Sequence, residues 1–169
     1  MALRKMLGSA EHPSVVRLMR LIETQSKTTL AAFAATYVAA HYLPLIGEDG
    51  RLTAALAGVT EHLRGNLSLK ELKPLLRDAR TAAQEETDPV RQAAKRAVAT
   101  AAAVITTPTN ALGFAFYGAA AYAYAAAGTA AAREVHDALA DEELARIVLA
   151  LEAAAVPDEP DPVKISWGC

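Results

Sequence analysis

The residues able to do chemistry are few, and their spacing works against most familiar uses. His12, His41, His62 and His136 never stand four apart, the spacing that sets two imidazoles on one helix face for a metal. No Glu-x-x-His occurs, so a helical di-metal centre has no ligand set. There is no Gly-Lys pair for a phosphate-cradling loop, no Gly-x-Gly-x-x-Gly and no Gly-x-Ser-x-Gly. Glu85-Glu86 and Glu142-Glu143 are adjacent carboxylates, but helical neighbours diverge by about 100°. They read as solvated faces rather than acid/base dyads. Arg91, Lys95 and Arg96 share a helix side that can touch phosphate, with Glu85, Glu86 and Asp88 just upstream to offset it. The expectation is no catalytic set, no metal and no cofactor.

One constellation stays open. Thr106, Thr109, Asn110, Tyr117, Tyr122 and Tyr124 are polar groups in a stretch otherwise built of methyls. Buried hydroxyls and amides need partners. Either Thr107 and Asn110 cap a helix and the tyrosines reach backbone carbonyls, or several of these residues line a pocket around Thr106, Asn110 and Tyr117. His41 follows Tyr37 by one turn on a second uncharged segment and is the histidine to watch there. The alternative for it is a core histidine with its ring satisfied.

These residues must be held by helices. Roughly a quarter of the 169 residues are alanine, far above ordinary usage, and alanine loses no side-chain entropy in a helix. Ser26 reads as the cap of a long helix running to Gly47, uncharged from Thr28 onward. A third helix over residues 51–64 closes at Gly65-Asn66. Ser68 and Glu71 fit a capping box, and Pro74 restarts or kinks the helix that follows. Asp88-Pro89 is a cap with proline at the first helical position, and Thr107-Pro108 repeats that signal. With an amphipathic helix after Pro13 and another carrying Leu139, Leu144, Ile147, Val148 and Leu151, the count is about seven. The fold class is all-α: a single compact bundle of about seven helices with two uncharged central helices and an extended C-terminal tail.

The 36 residues 97–132 carry no charge and are long enough to cross a bilayer. The polar break at Thr106, Thr107, Pro108, Thr109 and Asn110 divides them, however, and would strand polar groups in lipid. Alanine also gains little on transfer to hydrocarbon. A helix apolar all round belongs in the centre of a bundle, so residues 108–127 read as core, packed mainly on residues 28–47. These two are expected to be the most buried pair.

The net charge of −2 gives no electrostatic reason to expect nucleic acid. Cys169 is the sole cysteine, which fits a cytoplasmic location, and the opening has basic residues with no apolar run after them, unlike a signal peptide. Residues 1–155 read as one helical domain. Residues 156–169 form an extended tail whose prolines forbid a helix and whose anchor is Trp167, docked on the body or on a second subunit. A homo-oligomer fits this reading.

The run "RGNLSLKELKPLLRDARTAAQEETDPVRQAAKRAVATAAAVITTPTNALGFAFYGAAAYA", preceded by "LAAFAATYVAAHYLPL", resembles a family of alanine-rich, all-helical immunity proteins that accompany bacterial polymorphic toxins. The resemblance spans about residues 30–154. It implies a cytoplasmic, non-catalytic protein that binds and neutralises a toxin, and the charge and hydropathy readings add the expectation of no membrane or nucleic-acid partner. Similar family members place histidines at the start of the buried helix, where this sequence has Thr106 and Asn110, so a histidine-dependent site does not carry over. The opening residues and the closing "DPVKISWGC" resemble actinobacterial chains labelled as an exonuclease subunit of the chromosome-repair type. That activity requires an ATPase head and a long coiled coil, and this chain has neither. A small-molecule binder or enzyme using the pocket near Asn110 is the alternative function. Under the binding reading, recognition falls to the charged faces of residues 61–64, 70–80 and 85–96.

Overall fold

Helix starts in the computed structural model, which describes residues 2–168, follow the capping chemistry of the sequence. Cys169 lies outside the described residues. His12 Nδ1 accepts from the Ser14 amide and opens α1 (Pro13–Ile22). Ser26 accepts from the Thr29 amide and opens α2 (Lys27–His41). Asp49 caps α4 (Gly50–Leu63), and Asp88 caps α6 (Pro89–Ala102) with Pro89 at the first position. At α5 (Leu69–Glu85) both halves of the Ser68–Glu71 capping box form, and the helix runs through Pro74 without a restart. A 3-10 turn (Ala103–Ile105), α7 (Asn110–Ala127) and α8 (Arg133–Ala154) complete the chain. The described residues are all helix and connections, with no strand.

Two boundaries depart from the sequence reading, each for a backbone reason. The uncharged segment expected to run to Gly47 divides at Tyr42 into α2 and the four-residue α3 (Leu43–Ile46). Pro44 supplies no donor for the carbonyl of Ala40, and its ring crowds that carbonyl, so the long helix stops one turn earlier. This division turns about seven helices into eight. Pro108 does not open α7 either. The first amides of α7 are taken by backbone carbonyls of a turn, with Asn110 donating to Thr107, Ala111 to Pro108 and Leu112 to Thr109. No side-chain cap is used there.

The packing order also differs from expectation. α7 lies principally on α6 and α8, and touches α2 only lightly. On α6, Ala94, Ala97 and Ala101 are fully buried, as are Ala115, Ala119 and Ala120 on α7, and side chains of this size let two helix axes approach closely. α2 faces α7 with rings instead, Phe33 and Tyr37 each 6.2 Å from the Phe114 ring between centroids, which holds it further away. α2 is therefore not buried all round. Ala32, Thr36, Ala39, Ala40 and His41 are exposed. α6, and not the expected α2, is the main partner of α7 at the centre. No helix of the described residues is long and apolar enough to cross a membrane.

The tail runs back over the start of α2. The Val156 amide donates to Gln25 Oε1 and the Val163 amide to the Gln25 carbonyl, while Glu159 Oε1 accepts from the Ser26 amide and the Thr29 hydroxyl. Trp167 packs against the core and its Nε1 donates to Glu23 at 3.2 Å.

One glycine is required by closeness. A Cβ at Gly118 on α7 would fall on the ring and hydroxyl of Tyr42, and both neighbours are fully buried. Tyr42 has nowhere to move, so overpacking there costs about 2 kcal/mol. Gly118→Ala is expected to lower the urea midpoint with an unchanged slope, measured by circular dichroism. A variant as stable as the parent would show that Tyr42 relaxes freely.

Candidate functional site

The chemistry-bearing residues divide between two places rather than forming one pocket. Asn110 and Tyr117 line a half-open cavity of about 560 Å³ between α5, α6 and α7, together with Thr100 and Thr107. Thr106 and Thr109 stand outside it and are exposed. The Thr106 hydroxyl donates to the Ala103 carbonyl and closes the 3-10 turn. Tyr37 and His41 instead line a groove between α2 and the end of α8. His41 is exposed, not a core histidine, and its ring lies 4.2 Å from that of Tyr37 between centroids. The core histidine is His136, 4% exposed, whose Nε2 sits 2.8 Å from the Gly128 carbonyl. Tyr124 donates to a backbone carbonyl, that of Arg4.

Two buried ionic clusters were not visible in the sequence. Glu143, expected on a solvated face, is only 2% exposed. Its Oε2 accepts from the hydroxyls of Tyr37, at 3.0 Å, and Tyr42, and its Oε1 accepts from Arg146 Nε at 3.0 Å. Arg146 in turn lies over the Tyr122 ring, 4.2 Å from its centroid. Burial, and then the Glu143 carboxylate, push both phenols well above their ordinary range, so both stay protonated and donate. A buried carboxylate is tolerable only with its oxygens engaged, and here both are.

The second cluster joins three helices. Lys95 on α6 is buried and its Nζ lies 2.9 Å from Asp49 Oδ2 and 2.8 Å from Glu86 Oε1. Burial alone would raise the Asp49 carboxyl, but hydrogen bonds from Lys95 and Arg51 outweigh it and bring it to about 2. Glu86 is lowered by the Lys95 hydrogen bond first, then by the Asp88 amide. Burial works against the Lys95 ammonium, yet its two carboxylates raise it above its ordinary value. The sequence signal was present in Asp49 as a cap and Glu86 beside a turn. Their meeting through Lys95 required the α4–α5–α6 packing.

The remaining cations are unevenly placed. Arg64 pairs with Glu61, Arg51 with Glu85, and Arg91 with Glu86. Lys70, Lys73, Arg77 and Arg80 on α5 have no carboxylate partner among the described residues and are exposed. Residues 20–154 match the family model described as Imm-5 like putative immunity protein. The chain belongs to that family. No curated protein and no solved structure matches it. The match covers α2 through α8 entirely and therefore holds both ionic clusters and the helical walls of the cavity. The tail and residues 2–19 lie beyond it.

The Lys95 cluster sets a pH dependence. Asp49 and Glu86 have folded values below their unfolded ones, so their contribution is full above pH ~4.5 and is lost as pH falls toward the folded values. Lys95 is raised, so its contribution holds below pH ~10.4 and is lost as pH climbs through its higher folded value. Lys95→Met leaves two carboxylates facing each other and is expected to cost about 3 kcal/mol. For a domain of this size that is roughly 6–12 °C in melting temperature. Scanning calorimetry at neutral pH and at pH 3 checks this, since the gap between variant and parent should narrow in acid. An equal gap at both would remove the cluster from the account.

Proposed function

We propose that this chain neutralises a bacterial toxin by binding it, without catalysis and in the cytoplasm. Family membership supports the partner class, and the pattern of free charge supports the surface. On α5, Lys70, Lys73, Arg77 and Arg80 fall within an arc of about 80° at 100° per residue. All four are exposed and unpaired among the described residues. On the other two charged faces the exposed cations are paired, because Glu61 holds Arg64 and Glu86 holds Arg91, while Glu86 also holds the buried Lys95 and the half-buried Arg96 faces the cavity. A basic stripe about 15 Å long suits an acidic patch on the partner, and complementary fields of this kind raise association rates and reject wrong partners. An interface of standard size buries about 800 Å² on each side, which α5 with its flanking helices can supply.

Non-catalytic action fits the buried polar groups. Both Glu143 oxygens are engaged, and its two phenols are pushed further from ionisation. That arrangement suits a fixed structural element rather than a nucleophile or a proton-transferring base.

Within this reading the tail is a strap on the helical body, supported by the Glu159 and Trp167 contacts. Iodide should quench the single tryptophan less efficiently than free tryptophan. Equal quenching would detach the tail from the reading.

The binding surface is tested by charge reversal. Lys73→Glu with Arg77→Glu is expected to abolish capture of the cognate toxin, to be sought among the genes that neighbour this one, and to leave the melting temperature within about 2 °C, as for surface changes. Glu61→Lys with Arg64→Glu should retain capture. Retention by the first pair and loss by the second would reverse the assignment of the face. Failure of the parent chain to bind that toxin would overturn the function itself.

A further inference from the structure

Among the described residues, three Lys and Arg residues are buried or half-buried: Arg4, Lys95 and Arg96. Arg4 pairs with Asp137, and Lys95 with Asp49 and Glu86. Arg96 alone has no carboxylate. It stands on the wall of the 560 Å³ cavity, and Lys5 and Arg80 join it there from the N-terminal segment and α5. No acidic residue lines the cavity. Removing a cation partly from water without compensation is unfavourable, and gathering three like charges in one recess adds to that. The arrangement is the one expected where a counter-charge arrives from outside.

The rest of the lining agrees. Thr100, Asn110 and Tyr117 are half-buried, and their polar side-chain atoms have no hydrogen-bond partner in the protein among the described residues. They open onto the cavity rather than being sealed from solvent, and are free to meet a ligand there. The cavity exists because Ala83, Ala99 and Ala103 are too small to fill the space between α5, α6 and α7. Its volume lies in the range of small-molecule sites, ~300–1,000 Å³. A smaller recess of about 240 Å³ adjoins it and shares Lys5 and Arg96.

We propose that this cavity binds a small multivalent oxyanion, a phosphate ester or a polycarboxylate. Arg80, Arg96 and Lys5 supply the charge, and Asn110 and Tyr117 supply oriented hydrogen bonds. Guanidinium groups present paired donors to the oxygens of such ligands, and three cations match a ligand carrying two or three negative charges. The site shares only Arg80 with the basic stripe proposed for toxin recognition, so Lys73 and Arg77 can be changed without touching the cavity lining.

Titration calorimetry and thermal melting with pyrophosphate, citrate and inorganic phosphate, each against sodium chloride of equal ionic strength, test the site. Saturable one-to-one binding and a raised melting temperature are expected with pyrophosphate or citrate, and which of the two binds more tightly separates the phosphate from the carboxylate source. Arg80→Gln with Arg96→Gln should weaken binding about tenfold or more, the loss of charge-assisted hydrogen bonds, while circular dichroism stays unchanged. Asn110→Ala, which leaves the charge intact, should weaken it less, and Lys73→Glu with Arg77→Glu should leave it unchanged. Should the Arg80/Arg96 variant fail to fold, Lys5→Gln with Asn110→Ala carries the same expectation. No saturable binding by the parent, binding that persists in these variants, or binding lost equally in the Lys73/Arg77 variant would overturn the proposal.

Discussion

The contact on which the bundle depends is Tyr42 laid against Gly118. It occurs because α7 has no side chain at that point and because Pro44 ends α2 early enough to turn Tyr42 inward. There its hydroxyl reaches Glu143 on α8, which also takes the Tyr37 hydroxyl from α2. A single buried carboxylate thereby ties α2, the α2–α3 junction and α8 around α7. Removing one member of such a group costs more than the group contributes as a whole, since it leaves a buried charge or a buried donor unmatched. Its role is to define one arrangement of the helices.

Alanine produces two opposite results in the same structure. Where α6 meets α7, methyl groups on both sides interlock and the helices come close, which fills space well. Where α5, α6 and α7 diverge, the same small side chains at Ala83, Ala99 and Ala103 leave a recess. Larger residues at those positions would have closed it. The cavity is a consequence of helix divergence combined with a composition that cannot compensate for it.

The cations follow from their helical positions. Lys95 and Arg96 are neighbours in sequence and point about 100° apart. One is thereby directed to Asp49 and Glu86, and the other to a recess with no acid. On α5 the same periodicity collects Lys70, Lys73, Arg77 and Arg80 on one exposed side. A chain of net charge −2 thus carries a distinct basic face, which a whole-chain sum conceals.

The sequence by itself determined the helices and most of their ends, because caps such as Ser68 with Glu71 and Asp88 with Pro89 act over three or four residues. It also pointed to residues 108–127 as core, since a helix apolar all round belongs in the centre of a bundle, although the same argument overstated the burial of α2, whose outer face is exposed. The candidate site was legible only in part. Asn110 and Tyr117 were readable as polar groups in an apolar stretch, while Thr106, Thr109 and His41 shared that signal and lie elsewhere. Glu143 and Glu86 looked like surface acids, because an acid's type and local spacing do not reveal what packs over it. The helix that lies beside α7, the burial of Glu143, and the meeting of Lys5, Arg80 and Arg96 were decided by tertiary structure alone. Each joins residues far apart in the chain through helix packing, and helix packing depends on the volumes of both facing surfaces at once.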